Sequence, residues 1–171
     1  MASIIAANGQ EKSKKWAESF VANLARKPQG NDRAQVQAIF EGQCDIAIIN
    51  NYYLDKLKNS EDPYHQKWAN AVNLIFPNQD DRGVHINISG GGIAINSKNK
   101  ENGIKLLEFL SGEVSQKLYG KINFEYPVNP KIDPSSELFE WGIPPKEDQI
   151  PIIKIAELGP VAQRIIDRVG W

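Results

Sequence analysis

The stretch Cys44-Asp45-Ile46-Ala47-Ile48-Ile49-Asn50-Asn51-Tyr52-Tyr53 constrains the chain more than any other. Residues 44–49 are apolar and rich in β-branched side chains. They are too few for a helix of ordinary length, which predicts a buried strand. Two asparagines break the run, and two adjacent tyrosines follow just past the expected strand end. Open α/β folds keep ligands in crevices beyond strand ends.

The rest of the chain supplies helices and further short strands around this one. Gln10 to Ala25 carries Trp16, Phe20, Val21 and Leu24 on one helical face. Asp32 is the expected N-cap of a second helix holding Val36, Ile39 and Phe40, with Gly42 as its stop. A helical stretch is expected from about Leu54 to Lys58, and Asp62-Pro63 opens another that carries Trp68 and Ala69. Residues 73–76, 84–88 and 93–95 read as short strands. The last two flank Gly90-Gly91-Gly92, which implies a bend or a close backbone approach. From Lys100, Ile104, Leu107, Leu110, Val114 and Leu118 repeat at helical spacing, and Gly112 divides them into two helices. Pro134 to Glu140 reads as a short helix. Residues 150–155 read as an edge strand because of Pro151, and a final helix opens at Pro160. The alternation predicts the α/β class.

Composition excludes several functions. Twenty basic residues oppose 21 acidic ones, so no electrostatic footprint for nucleic acid exists. No apolar run reaches the roughly 18 residues of a membrane span, so no membrane insertion is expected. Cys44 is the only cysteine, which rules out an intramolecular disulfide. Residues 1–9 lack the basic leader and apolar core of a secretory signal.

Motifs for catalysis are absent. His65 and His85 lie twenty residues apart, with no HExxH or Cys/His cluster for zinc. The glycine triplet lacks the Lys-Ser/Thr ending of a phosphate loop and precedes a strand rather than a helix. Asp80-Asp81 sits in a polar loop beside Arg82, where solvated carboxylates are the simpler reading. Ser89, Ser97 and Ser111 have no evident base, so a nucleophile–histidine–acid set is unsupported and no enzyme is expected.

Tyr52 and Tyr53 remain. Neighbours on a strand face opposite ways and on a helix diverge by about 100°, but at an irregular junction they can converge. Phenolates are hard oxygen donors suited to a hard trivalent cation such as ferric iron. Free tyrosine titrates near 10, so a metal would have to displace the proton. A following helix N-terminus would favour the phenolate. A tyrosine pair also serves as plain packing, and the residues alone leave both uses open.

The segment Asp45–Leu54 closely resembles the metal-site segment of periplasmic ferric-iron-binding proteins, the substrate-binding components of iron(III) ABC transporters, the cyanobacterial-type branch above all. The similarity runs the full length. It includes Ala6-Ala7-Asn8-Gly9, Phe76-Pro77-Asn78-Gln79-Asp80, residues 84–90, residues 99–110, Glu125-Tyr126-Pro127-Val128 and the closing Arg168-Val169-Gly170-Trp171. The resemblance implies two α/β lobes closing on iron, with Tyr52 and Tyr53 as phenolate ligands for Fe3+. It implies a periplasmic location and an ABC transporter permease as partner.

Family members have roughly twice this length, so the resemblance covers a carboxyl-terminal half, and Met1 looks like an introduced or internal start. Implied is one truncated periplasmic-binding-protein-like lobe, a three-layer α/β/α sheet. Residues of about 2–84 and 134–171 would form the second lobe, and about 85–133 would belong to the first. The family's other ligands, a tyrosine upstream and a histidine or tyrosine of the first lobe, have no counterpart here. Water, an anion, the missing first lobe or a second copy of the chain would complete the shell. The alternative is a non-metal protein-interaction module or inactive fragment, as a segment-exchanged dimer.

Overall fold

The computed structural model describes residues 1–134, 138 and 145–171. Two groups of helices build it. The first joins the two ends of the chain: α1 (Ala2–Asn8), α2 (Gln10–Ala22) and α8 (Ile152–Val169). Ile5, Ala17, Ala162 and Ile165 are its buried core, with Leu158, Val161 and Val169 packed against them. Gly9, at φ 78°, lets the chain pass from α1 into α2 without a linker. The carbonyl of Gly9 accepts from Ser13 Oγ at 2.7 Å, which ties the new helix to the turn.

The second group is α3 (Asp32–Phe40), α4 (Asn51–Lys58) and α5 (Pro63–Asn70). Val36, Leu54, Leu57 and Ala69 are buried there, lined by Ile49, Trp68, Val72 and Leu74. The Asp62 carboxylate accepts from Tyr64 N–H at 2.8 Å and Pro63 occupies the first turn of α5, as the residues predict. The chain continues through α6 (Lys100–Leu110), α7 (Glu113–Leu118) and a π-helical turn over Tyr119–Asn123. Gly112 divides α6 from α7, as expected.

Several expectations need correction. Asn31, not Asp32, caps α3, through Ala34 N–H donating to Asn31 Oδ1 at 3.1 Å. The helix from Gln10 ends at Ala22 rather than Ala25. Residues 152–155 are helical, not a strand, and Pro160 lies inside α8 rather than at its start. An apolar run reads alike for either element, and Pro151 suits a helix N-cap as well as a sheet edge. Within α8, Pro160 removes one backbone donor, but Leu158, Val161, Ala162, Ile165 and Val169 still bind α1 and α2 as one face. α1 was not foreseen, since seven residues give too little periodicity. The expected helix from Pro134 to Glu140 falls mainly outside the described residues.

The largest departure concerns the sheet. Among the described residues no strand forms, and the α/β/α layering is not seen. The one β pairing among the described residues is a parallel bridge between Val84 and Glu147. Gly83 makes it possible: a Cβ there would lie 2.6 Å from the carbonyl oxygen of Lys146. Segments 44–49 and 73–76 form neither helix nor paired strand. Their residues alternate: Ile49, Val72 and Leu74 turn towards the α3–α4–α5 core, while Ile46, Ile48 and Ile75 face solvent. A ladder needs a partner backbone, and none of the described residues supplies one.

The candidate metal site

The apolar segment delivers the tyrosines to a helix start. Asp32, in the first turn of α3, accepts from the Asn50 backbone N–H at 2.8 Å. That contact fixes where the extended chain turns, and α4 begins at Asn51. Tyr52 and Tyr53 therefore occupy the first turn of α4, three residues earlier than the expected helical stretch, and not an irregular junction.

The rings still meet. Their centroids are 4.4 Å apart with planes at 39°. Interaction with the Tyr53 side chain is the main cause of a Tyr52 pKa pushed up to about 12. Burial adds to the rise, followed by the charges of Tyr53, Asp32 and Glu125. Each of these favours the neutral phenol. Against them stands Lys56, one helical turn along, with its ammonium 5.2 Å from the Tyr52 ring centroid and 6.0 Å from that of Tyr53. The N-terminal end of α4 also favours negative charge.

The pair thus offers two phenolic oxygens on neighbouring rings beside a helix N-terminus and a lysine. Chemically this fits a hard trivalent cation, which would displace both phenolic protons and be met by two anionic oxygens. It supplies two ligands. Among the described residues no group of three or more His, Cys, Asp and Glu side chains is placed to hold a metal. Tyrosines are the donors available.

The other residues singled out in the sequence go elsewhere. His65 Nδ1 meets Ser60 Oγ at 2.9 Å, and its ring lies 5.1 Å from Trp68, so it serves the α4–α5 turn. His85 belongs to the other end of the molecule, where burial, more than the amino terminus and Arg82, lowers its pKa against the opposing pull of Asp148. Arg82 pairs with Asp148 and also donates to Ser3 Oγ at 3.0 Å, a tie between the chain's two ends. Gly91 is a close-approach glycine: a Cβ there would lie 2.8 Å from Leu107 Cδ2. Cys44 is a free, half-buried thiol.

Asp32, Lys56 and Glu125 were missed as neighbours of the tyrosines. The four-residue spacing of Lys56 from Tyr52 was a usable signal. Nothing in the sequence announces Asp32 or Glu125, because tertiary packing brings them close. A cavity of ≈550 Å³ lies along the same helix, lined by Arg33, Lys56, Asn59, Ser60, His65 and the Ile122–Phe124 turn.

A tyrosine pair thus opens a helix after an apolar segment. Iron uptake protein A1 of Synechocystis is 37% identical over all of this chain. A ferric binding protein from Campylobacter jejuni superposes with a TM-score of 0.95 at 42% identity, covering 99% of this chain. A Trichodesmium protein solved in complex with iron and citrate superposes at 0.92 with 43% identity, again over 99% of this chain. No family model matches. Over its whole length the chain is similar to ferric iron-binding proteins. It spans 47% of the Synechocystis protein and 53% and 54% of the two solved chains, about half the length of these relatives.

Proposed function

We propose that the chain is the iron-contacting half of a periplasmic iron(III)-binding transport protein, serving uptake through an ABC transporter permease. Tyr52 and Tyr53 are its phenolate ligands, and the remaining ligands come from outside these 171 residues. The observation that carries the reading is the tyrosine pair in the first turn of α4, with ring centroids 4.4 Å apart. The names of the relatives agree with it. The division into about 2–84 with 134–171, and about 85–133, belongs to the same reading.

Ferric binding here is a proton exchange. Each phenolate bound to iron releases a proton, so affinity rises with pH until hydroxide competes. Two protein oxygens bind weakly beside a full shell, and an anion or water must complete the coordination.

The test is a ferric titration followed by visible absorbance, because iron–phenolate bonds give a charge-transfer band. The wild-type chain develops the band; Tyr52→Phe with Tyr53→Phe does not. A colourless wild type, or equal colour in the double variant, removes the direct role of these residues. The competing reading, a protein-interaction module that keeps the fold without the metal, expects that colourless result.

A further inference from the structure

The cavity of ≈550 Å³ along α4 has a charge pattern of its own. Arg33, Lys56 and His65 line it together with Ser60, and among the described residues no carboxylate does. The two permanent cations are not neutralised from elsewhere. Among the described residues neither Arg33 nor Lys56 forms an ion pair. The Lys56 ammonium rests against the rings of Tyr52 and Tyr53 instead. His65 is fixed in place by Ser60 Oγ, 2.9 Å from Nδ1, with Asp62 3.9 Å from Nε2. A concave surface lined by one sign of charge concentrates ions of the other sign.

Another wall is apolar, formed by Ile122 and Phe124. Phe124 is buried at φ 60° and ψ 40°, a left-handed backbone that bulky residues rarely adopt. It ends the π-helical turn Tyr119–Asn123. Both π turns and left-handed non-glycine residues collect at binding sites. The volume is that of a pocket for a small organic molecule and exceeds what a lone inorganic anion fills.

We propose that this cavity binds a small organic dicarboxylate. One carboxylate lies on the planar fork of Arg33, the other on Lys56 and His65, and the short hydrocarbon spine lies against Ile122 and Phe124. Tyr52 and Tyr53 do not line the cavity, so the site is separate from the tyrosine pair and does not rest on ferric binding.

Isothermal titration calorimetry with succinate and glutarate tests this, with succinamide and inorganic phosphate as the neutral and the compact comparison. One of the dicarboxylates is expected to bind with a Kd below about 1 mM, at least about tenfold more tightly than either comparison. The amide resonances of Asn59, Ser60, His65 and residues 122–124 should shift in the same titration, and those around Arg82 and Asp148 should not. Arg33→Gln and Lys56→Gln should each weaken binding by about tenfold, the effect of losing one charged contact. Arg168→Gln, which removes a cation of α8, should leave it unchanged. Arg33 is exposed, so its variant should keep the wild-type circular dichroism. Four results would overturn the proposal: no dicarboxylate binding, equal binding of phosphate or succinamide, shifts confined to other parts of the chain, or wild-type affinity in both the Arg33 and Lys56 variants.

Discussion

The α1–α2–α8 group and the α3–α4–α5 group use the same kind of material and finish differently. The first joins the two ends of the chain. Residues near both termini meet around Ile5, Ala17, Ala162 and Ile165, and Arg82 with Asp148 and Ser3 ties the same ends by charge. The second closes on one side. Its helices cover the inner faces of two extended segments, and the outer faces carry bare isoleucines. The self-contained group holds the ends together. The open group carries the tyrosine pair.

The contrast can be broken first in the cores. Leu54→Ala and Ile165→Ala each empty a fully packed position, and each should cost about 2–5 kcal/mol in urea unfolding. The two cores share no packed residue, so the double variant should be additive within about 0.5 kcal/mol. Strong coupling would mean that the groups are one core.

Asp32→Ala tests the anchor between α3 and α4. It leaves the half-buried Asn50 N–H without its charged acceptor and should cost about 1.5–3 kcal/mol. It should also lower the ferric charge-transfer signal, because the turn that places Tyr52 and Tyr53 loosens. Unchanged iron colour at reduced stability would show that α4 keeps its start without Asp32.

Alkaline titration addresses the pair directly. Tyr52 in the folded chain holds its proton to about 12, above the usual value near 10. Between those values the unfolded chain has lost the proton and the folded chain has not. The stabilisation is therefore complete below about pH 10 and disappears as pH rises through about 12. Tyrosinate absorbance should show the late titration. Tyr53→Phe, which removes the main cause, should bring Tyr52 back towards its ordinary range.

The smallest effect is expected on the open face. Ile46→Ser in the chain alone should change stability by no more than about 0.5 kcal/mol, because the side chain is already in water. A larger loss in urea unfolding would mean that the chain covers Ile46 itself, and the contrast between the groups would fail.

Much of the helical framework was legible. Asp62-Pro63 announced α5, Gly112 announced the α6–α7 break, and the period of Lys100 to Leu118 announced both helices. Each signal is local, made by residues within a turn of the feature. The strands were read from apolar runs, and there the reading went only halfway. The runs at 44–49 and 73–76 are extended and two-faced, as strands are, but pairing depends on another backbone. At 150–155 the same kind of run became the start of α8, because contact with α1 and α2 decided between helix and strand.

The site divides along the same line. By itself the sequence determined that Tyr52 and Tyr53 are adjacent, follow an apolar extended segment and carry Lys56 one turn on. Those are matters of order and spacing. Only the tertiary structure decided that α4 starts at Asn51, that the two rings lie 4.4 Å apart, and that Asp32 and Glu125 bring negative charge to Tyr52. These depend on α3, α4 and the Glu125 segment meeting in space, and electrostatic interaction follows distance through the fold rather than distance along the chain.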